Sequence, residues 1–202
     1  MKKSFKTFKS RFTKIGFLSA AAMTMFAVSL LSCDNPKRED PKSVAEEHNE
    51  AKFDNANEDD AKFLVNAAEI NLEEMQLGQL AQTQGMTAHI KEMGKMMEAE
   101  HTQALADLKA LAAKKQITIP TSLTDDGMSA KKKLMDTKAS DFDKEYANMM
   151  VDGHKDAISK FEKAANDSHD SEIRTWANSM LPTLRTHLDH AITCQKECEK
   201  NN

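Results

Sequence analysis

Three of the seven histidines stand at positions where a helix would turn them toward an apolar core. His101 and His154 each follow a methionine by four residues, and His187 follows a leucine by three and a methionine by seven. Residues three, four or seven apart share a helical face. Imidazole nitrogens bind zinc, iron and copper. Three inward histidines on separate segments therefore raise the hypothesis of a transition-metal site.

Two glutamates extend this hypothesis. Glu74 shares a stripe with apolar residues, where it needs a partner because an isolated buried carboxylate is very costly. Glu98 precedes His101 by three residues, the spacing that carboxylate-bridged di-metal bundles use on their ligand helices. The residues three before the other two histidines are valine and leucine, which do not bind metals. A standard di-iron site is therefore not expected, and the hypothetical metal ligands are Glu74, Glu98, His101, His154 and His187.

A purely structural interpretation competes with the metal site. The same histidines and Glu74 can hydrogen-bond one another and Tyr146, which would stabilise the core without any ligand. The methionines of these segments offer thioethers to copper(I), but methionine also fills irregular cores where aromatic residues are few. A transition metal is thus the candidate cofactor, and the sequence leaves its identity open.

Three functions remain open at this point. The first is binding or sequestration of a metal or small ligand at the inward cluster. The second is a non-catalytic structural or partner-binding bundle. The third is a redox metalloenzyme, which the missing second Glu-x-x-His motif makes less favourable. The sequence has no Gly-rich phosphate loop, nucleophile elbow or His-Glu-x-x-His motif, so nothing supports hydrolysis or phosphoryl transfer, and binding is favoured over enzyme activity.

The C-terminal segment carries a second group of potential ligands. His190, Cys194 and Cys198 follow one another at intervals of four residues, along one face of a helix. Imidazole and thiolates at this spacing can bind a soft metal. The alternative is a Cys194–Cys198 disulfide, which would close only a small loop and stabilise the fold little. We favour the disulfide, because these are the two remaining thiols if Cys33 is modified.

Helices are the elements that must position these residues. Apolar residues recur at helical spacing, which predicts four long helices over 58–84, 87–114, 141–166 and from 171 onward, with a short helix near 129–135. Two short joins favour antiparallel neighbours, and the long connection over 121–140 can cross the bundle. The prediction is an all-α, ferritin-like antiparallel four-helix bundle. A match between 97–101 and 150–154, at a constant offset of 53, suggests that the second and third long helices are equivalent and face each other.

The first 33 residues predict export and lipid anchoring. Six lysines and arginines are followed by an apolar run shorter than the ~20 residues that span a bilayer. This pattern is typical of a secretory signal over 1–32. The run ends at Leu30-Leu31-Ser32-Cys33, which resembles the lipobox of bacterial lipoproteins, where the cysteine becomes the lipidated first residue. We therefore expect a protein held by Cys33 on the bacterial cell envelope, at the outer membrane or the periplasmic face.

The segment after Cys33 predicts a tether. Residues 33–57 are polar, with two prolines and mixed charges, and predict a flexible tether before a bundle domain over 58–202. Removing the signal would leave 22 basic and 32 acidic residues. Such a charge is unsuited to nucleic acid, which requires a basic face. The expected partner is the membrane, through the lipid, and no protein partner can be named.

Four stretches together resemble a known family. They are 74–81, 97–101, 142–154 and 181–188, which contain the sequences EMQLGQLA, MEAEH, FDKEYANMMVDGH and LPTLRTHL. In this order they resemble the bacterial family called domain of unknown function 4142. In several members of that family an aspartate precedes the first histidine, where this chain has Glu100. The resemblance implies a ferritin-like fold and an exported, often envelope-located protein, and it implies no activity.

Overall fold

The computed structural model describes residues 38–200, and this part of the chain is entirely helical, with six helices and no strands. The helices are α1 (Pro41–Glu50), α2 (Asn55–Gln84), α3 (Ala88–Lys115), α4 (Asp125–Asp136), α5 (Ala139–Asp167) and α6 (Ser171–Lys200). The all-α prediction is confirmed, and each long predicted helix corresponds to one of α2, α3, α5 and α6. The predicted signal and Cys33 lie outside the described residues.

The four long helices form two antiparallel hairpins, α2–α3 and α5–α6. Each hairpin turns within three residues, over 85–87 and over 168–170. In the first hairpin, α2 and α3 approach closely at Gly78 and Gly94. A Cβ atom on either glycine would lie 2.6 Å from the carbonyl oxygen of the other. Only glycine permits this approach, because it leaves the space where a side chain would begin.

Two buried aspartates hold the hairpins together. Asp143 on α5 accepts hydrogen bonds from the backbone N–H groups of Met86 and Thr87, in the turn of the other hairpin. Asp60 on α2 accepts the equivalent bonds from the backbone N–H groups of residues 169 and 170. Both aspartates and both turns are related by an offset of 83 residues. The structure therefore relates α2 to α5 and α3 to α6, so the equivalence of α3 and α5 predicted from the 53-residue repeat is wrong.

Helix α1 corrects the predicted tether. The side chain of Asp40 caps its first turn and Pro41 begins it, a position that suits a residue without an N–H group. Asn49 is buried and bonds both the N–H and the carbonyl of Thr118 in the α3–α4 connection. Lys42 pairs with Glu69 on α2 at 2.6 Å. The prediction of a flexible tether over 33–57 is therefore wrong for 41–50. These residues form a helix that is held to the domain by polar contacts and not by a large apolar face.

The connection between the hairpins contains α4, which is longer than the predicted short helix. Thr124 caps it by accepting a hydrogen bond from the N–H of Gly127. Leu134 is fully buried against the core that α2, α3, α5 and α6 enclose. Two apolar clusters fill that core, one on each side of a layer that contains buried histidines. None of the described helices combines the length and apolar character needed to cross a membrane.

Candidate metal centre

The three histidines predicted to point inward meet in one place. His101 comes from α3, His154 from α5 and His187 from α6. The three residues are only 1–3% exposed. Their ring centroids lie 5.2 to 5.7 Å apart. One ring nitrogen from each histidine lies within 4.8 Å of those of the others. We call this set the histidine triad. No other group of three or more histidines, cysteines and carboxylates in residues 38–200 converges in this way.

Asn71 on α2 determines which nitrogen of His101 carries its proton. The amide nitrogen of Asn71 donates to the carbonyl of Ala67 at 2.7 Å, which directs its oxygen toward Nδ1 of His101 at 3.0 Å. An amide oxygen only accepts, so Nδ1 of His101 is the N–H donor. In the neutral ring Nε2 then carries a lone pair, and this buried atom has no hydrogen-bond partner.

The partners of the other two histidines assign their protons in the same way. Nδ1 of His154 lies 2.9 Å from the carbonyl oxygen of Met150, which can only accept. Nε2 of His187 lies 3.0 Å from the carboxylate of Glu100 on α3. Both nitrogens are therefore donors, which leaves lone pairs on Nε2 of His154 and Nδ1 of His187. These two atoms face each other at 3.2 Å. Two lone pairs at this distance repel unless a cation lies between them.

Burial keeps the triad in its neutral form. It lowers the pKa of His101 well below its ordinary value, and the other two histidines lower it further. Burial also lowers the pKa of His154 to about 4, with His187 adding to the effect. The pKa of His187 is lowered by burial despite its bond to Glu100. A shared proton is therefore an unfavourable cation for this site at neutral pH. A metal ion is the better candidate, because it bonds to lone pairs directly.

The family described as "Domain of unknown function (DUF4142)" matches residues 45–193, which include the whole triad. The chain belongs to the DUF4142 family. No curated protein and no solved structure matches it.

Glu74 of this DUF4142 domain lies beside the triad and outside it. Its side chain is buried, with one oxygen 3.8 Å from Nδ1 of His154, the nitrogen that already donates to Met150. Its other oxygen has no hydrogen-bond partner. Burial raises the pKa of Glu74 well above its ordinary value, and Glu73 raises it further. The hydroxyl of Tyr146 is also buried without a partner, so the expected hydrogen bonds of Tyr146 to this cluster are not formed.

Glu98, the other carboxylate predicted from spacing, lies on a different face of α3. It accepts hydrogen bonds from Gln79 and Gln82 on α2 at 2.7 and 2.6 Å, and these bonds lower its pKa. Glu100 contacts the triad instead, although its side chain is 48% exposed. Sequence reasoning did not assign a role to Glu100 or Asn71. The only signal for Glu100 in the sequence was its position directly before His101.

The C-terminal group is not assembled as a metal site. Cys194 is buried and Cys198 half-buried, and both are free thiols in the structure on a helix that continues to Lys200. The structure thus shows neither the favoured disulfide nor a cluster of His190 with the two thiols. Burial raises the pKa of Cys194 to about 11 and also raises that of Cys198. Both side chains therefore remain protonated thiols at neutral pH.

Proposed function

We propose that this protein binds one transition-metal ion at the histidine triad and thereby sequesters it. The observation that carries the proposal is the set of three buried lone pairs, on Nε2 of His101, Nε2 of His154 and Nδ1 of His187. The other nitrogen of each ring donates to an oxygen acceptor. Metal-binding histidines are commonly oriented by such an acceptor, which fixes the tautomer and makes the ligand more basic.

A structural network is the alternative, and it accounts for the same contacts less well. Without a metal, the 3.2 Å contact between His154 and His187 requires one ring to become a buried imidazolium. Burial opposes this charge, and Nε2 of His101 would still lack a partner. A metal ion satisfies all three nitrogens at once. The redox-enzyme alternative has no further support, since Glu74 and Glu98 do not join the triad.

The proposal includes an envelope location and a ferritin-like fold. The location rests on the predicted signal over 1–32 and on Cys33 as the lipidated residue. The fold assignment rests on two antiparallel hairpins joined by a long connection between α3 and α5, which is the connectivity of ferritin-like bundles. A lipid-anchored bundle with a closed metal site would retain metal ions at the membrane surface.

The direct test is metal analysis of the purified protein after equilibration with transition-metal ions. We expect one bound ion per chain in the wild type and none in His101→Ala or His187→Ala. His48→Ala, which removes an exposed histidine on α1, should bind as the wild type does. Saturating metal should raise the stability of the wild type by about 2.7 kcal/mol at 100 times Kd. Absence of stoichiometric metal, with the triad variants changing only the melting temperature, would contradict the proposal.

Asn71 provides a second test, because it orients a ligand without binding metal. Asn71→Ala should weaken metal binding by about 10–100-fold, the effect typical of removing a group that orients a ligand. Asn66→Ala is the matched control: Asn66 also donates to a carbonyl four residues earlier on α2, and no histidine bond to it is present. The comparison is made by competition with a chelator of known affinity. Equal metal affinities of the two variants would show that Asn71 does not orient His101 for metal binding.

A further inference from the structure

The charge of the triad restricts the kind of ion it can hold. All three donors are neutral imidazole nitrogens, and no other histidine, cysteine or carboxylate of the described residues joins them. The cost of burying an ion rises with the square of its charge, so a dication costs about four times as much as a monocation. One carboxylate, Glu100, is hydrogen-bonded to the triad, and it balances a single positive charge. The other nearby acid, Glu74, lies 3.8 Å from His154, beyond hydrogen-bond distance. The site therefore favours a monovalent ion.

The number of donors points in the same direction. Zinc held by three histidines completes its tetrahedron with a water molecule, whereas these three histidines are only 1–3% exposed. Copper(I) is a monovalent ion that is stable with three ligands in a plane, and nitrogen donors from imidazole suit it. Met97 and Met150, each one helical turn before a triad histidine, are fully buried and offer thioethers close by. Thioethers are soft donors that select copper(I) over divalent ions.

A pocket rich in soft donors lies along the same pair of helices. Helices α3 and α6 run antiparallel, because Lys114 near the end of α3 pairs with Glu172 while His89 at its start pairs with Glu197. Between them is a pocket of about 310 Å³. Its lining includes the sulfur-containing residues Met93, Met96 and Cys194, the histidines His89 and His190, and the acids Glu92 and Glu197. We call it the α3–α6 pocket.

The α3–α6 pocket is adjacent to the triad along both helices. His190 is three residues beyond His187, and Met96 is five residues before His101. With a rise of about 1.5 Å per residue, these positions lie about 5–8 Å along the helix axes from the triad. His190 is exposed, whereas Met93 and Cys194 are buried and lie about 10–12 Å along the helix axes from the triad. Met97, one turn from both Met93 and His101, is fully buried and would connect these donors to the triad. This order of donors would let a soft ion pass from solvent to the triad.

Building on the proposed metal-binding function, we propose that the ion is copper(I) and that it reaches the histidine triad through the α3–α6 pocket. Binding involves no electron transfer: the ion arrives as copper(I) and replaces no proton on the three lone-pair nitrogens. The imidazoles supply the final site. The thioethers and the thiol supply transient contacts on the way.

The equilibrium test measures Kd for copper(I) under anaerobic conditions with ascorbate, by competition with bicinchoninate, and Kd for Zn²⁺ by chelator competition. We expect copper(I) to bind at one ion per chain and more tightly than Zn²⁺ by about 100-fold or more. The silver(I) ion, which has the same charge and softness, should compete for the site. His101→Ala should abolish tight binding. Glu98→Gln should leave it unchanged, since Glu98 bonds α2 and lies outside the triad.

The outcomes separate this inference from the proposed function. Triad-dependent binding of Zn²⁺ that equals or exceeds that of copper(I) would overturn the inference and leave the metal-binding function standing. Absence of triad-dependent binding for every ion tested would overturn both. Copper(I) bound as tightly by His101→Ala as by the wild type would place it on the thiols and overturn the inference.

The uptake route has a kinetic test. The double variant Met93→Leu with Met96→Leu conserves side-chain volume and removes two thioethers, so the fold should be retained. Stopped-flow measurement should show copper(I) association slowed by about five-fold or more, with Kd changed little, because a route affects both rates equally. The control is Met128→Leu with Met135→Leu, two exposed methionines on α4. Equal association rates for the two double variants would overturn the route.

Discussion

At the scale of single residues, Glu74 is an acid buried without full hydrogen bonding. One of its oxygens has no partner, and the nearest triad nitrogen is 3.8 Å from the other. Its pKa is raised by burial, so the folded protein favours the protonated form while the unfolded chain ionises freely. The stability associated with Glu74 is thus present below the ordinary pKa near 4.5 and lost as pH rises through the folded pKa.

Glu74→Gln should remove this pH-dependent loss. In metal-free protein we expect the variant to match the wild type near pH 4 and to exceed it by about 1–3 kcal/mol at pH 8, the usual cost of a poorly paired buried polar group. Urea denaturation across this pH range measures the difference. The matched control is Glu98→Gln, where the pKa is lowered by two glutamine donors, so its small effect should have the opposite sign. A difference that did not change with pH would contradict the assignment.

Spacing predicted the inward orientation of the three histidines because each histidine and its apolar neighbours lie on one helix. It could not predict their tautomers, since the orienting groups come from elsewhere in the fold. Asn71 reaches His101 from α2, and Glu100 on α3 reaches His187 on α6. Spacing also favoured Glu98, whereas two glutamines of α2 direct that side chain away. A short sequence motif does not contain these contacts between helices.

At the scale of the elements, the α2–α3 hairpin depends on a close contact between glycines. A Cβ atom at Gly94 would lie 2.6 Å from the carbonyl oxygen of Gly78 and 2.7 Å from the Cβ of Ala81. Replacing glycine by alanine in an exposed helix normally raises the free energy of unfolding by up to about 1 kcal/mol. In Gly94→Ala the helices must separate, and we expect a net loss of about 1–3 kcal/mol. Denaturation against Lys95→Ala, at the next and exposed position, measures the loss. A stabilised Gly94→Ala would mean that the hairpin relaxes freely.

The contacts of the two buried aspartates predict that each aspartate stabilises the docking of one hairpin on the other. Asp143→Asn keeps one acceptor oxygen and faces the other N–H with an amide donor, so one of the N–H groups of Met86 and Thr87 loses its bond. We expect a cost of about 1–3 kcal/mol. Asp60→Asn should cost a similar amount, because its contacts are equivalent. Asp141→Asn and Asp59→Asn, at neighbouring exposed positions, are the controls. Stabilities equal to those of the controls would contradict the role of the aspartates.

The long helices were predictable from apolar periodicity. Helix α1 was not, because its buried face consists of little more than Ala45 and Asn49. Its position depends on the bonds of Asn49 to Thr118, a residue far along the chain. The pairing of α2 with α5 was also missed, since it depends on Asp60 and Asp143, which look like ordinary surface acids in the sequence.

At the scale of the whole molecule, the triad joins the two hairpins. His101 belongs to the α2–α3 hairpin, while His154 and His187 belong to the α5–α6 hairpin. A bound ion would therefore link the hairpins at mid-length, whereas Asp60 and Asp143 link them at their ends. Such an ion leaves only when the hairpins separate or when donors along α3 and α6 receive it. This arrangement favours retention of the ion over rapid exchange.

Retention at a membrane surface requires the anchor that the N-terminal sequence predicts. Cys33→Ser removes the thiol that would carry the lipid. Each CH₂ group of an acyl chain buried in the bilayer contributes about 0.8 kcal/mol to the free energy of membrane binding. We expect the wild type, produced in a bacterial host, to sediment with membranes and resist a high-salt wash. The Cys33→Ser variant should appear in the soluble fraction. Cys198→Ser, which removes a thiol of α6, should sediment as the wild type does. A Cys33→Ser variant that stayed with the membranes would contradict lipid anchoring and leave the triad's metal binding to be judged by its own tests.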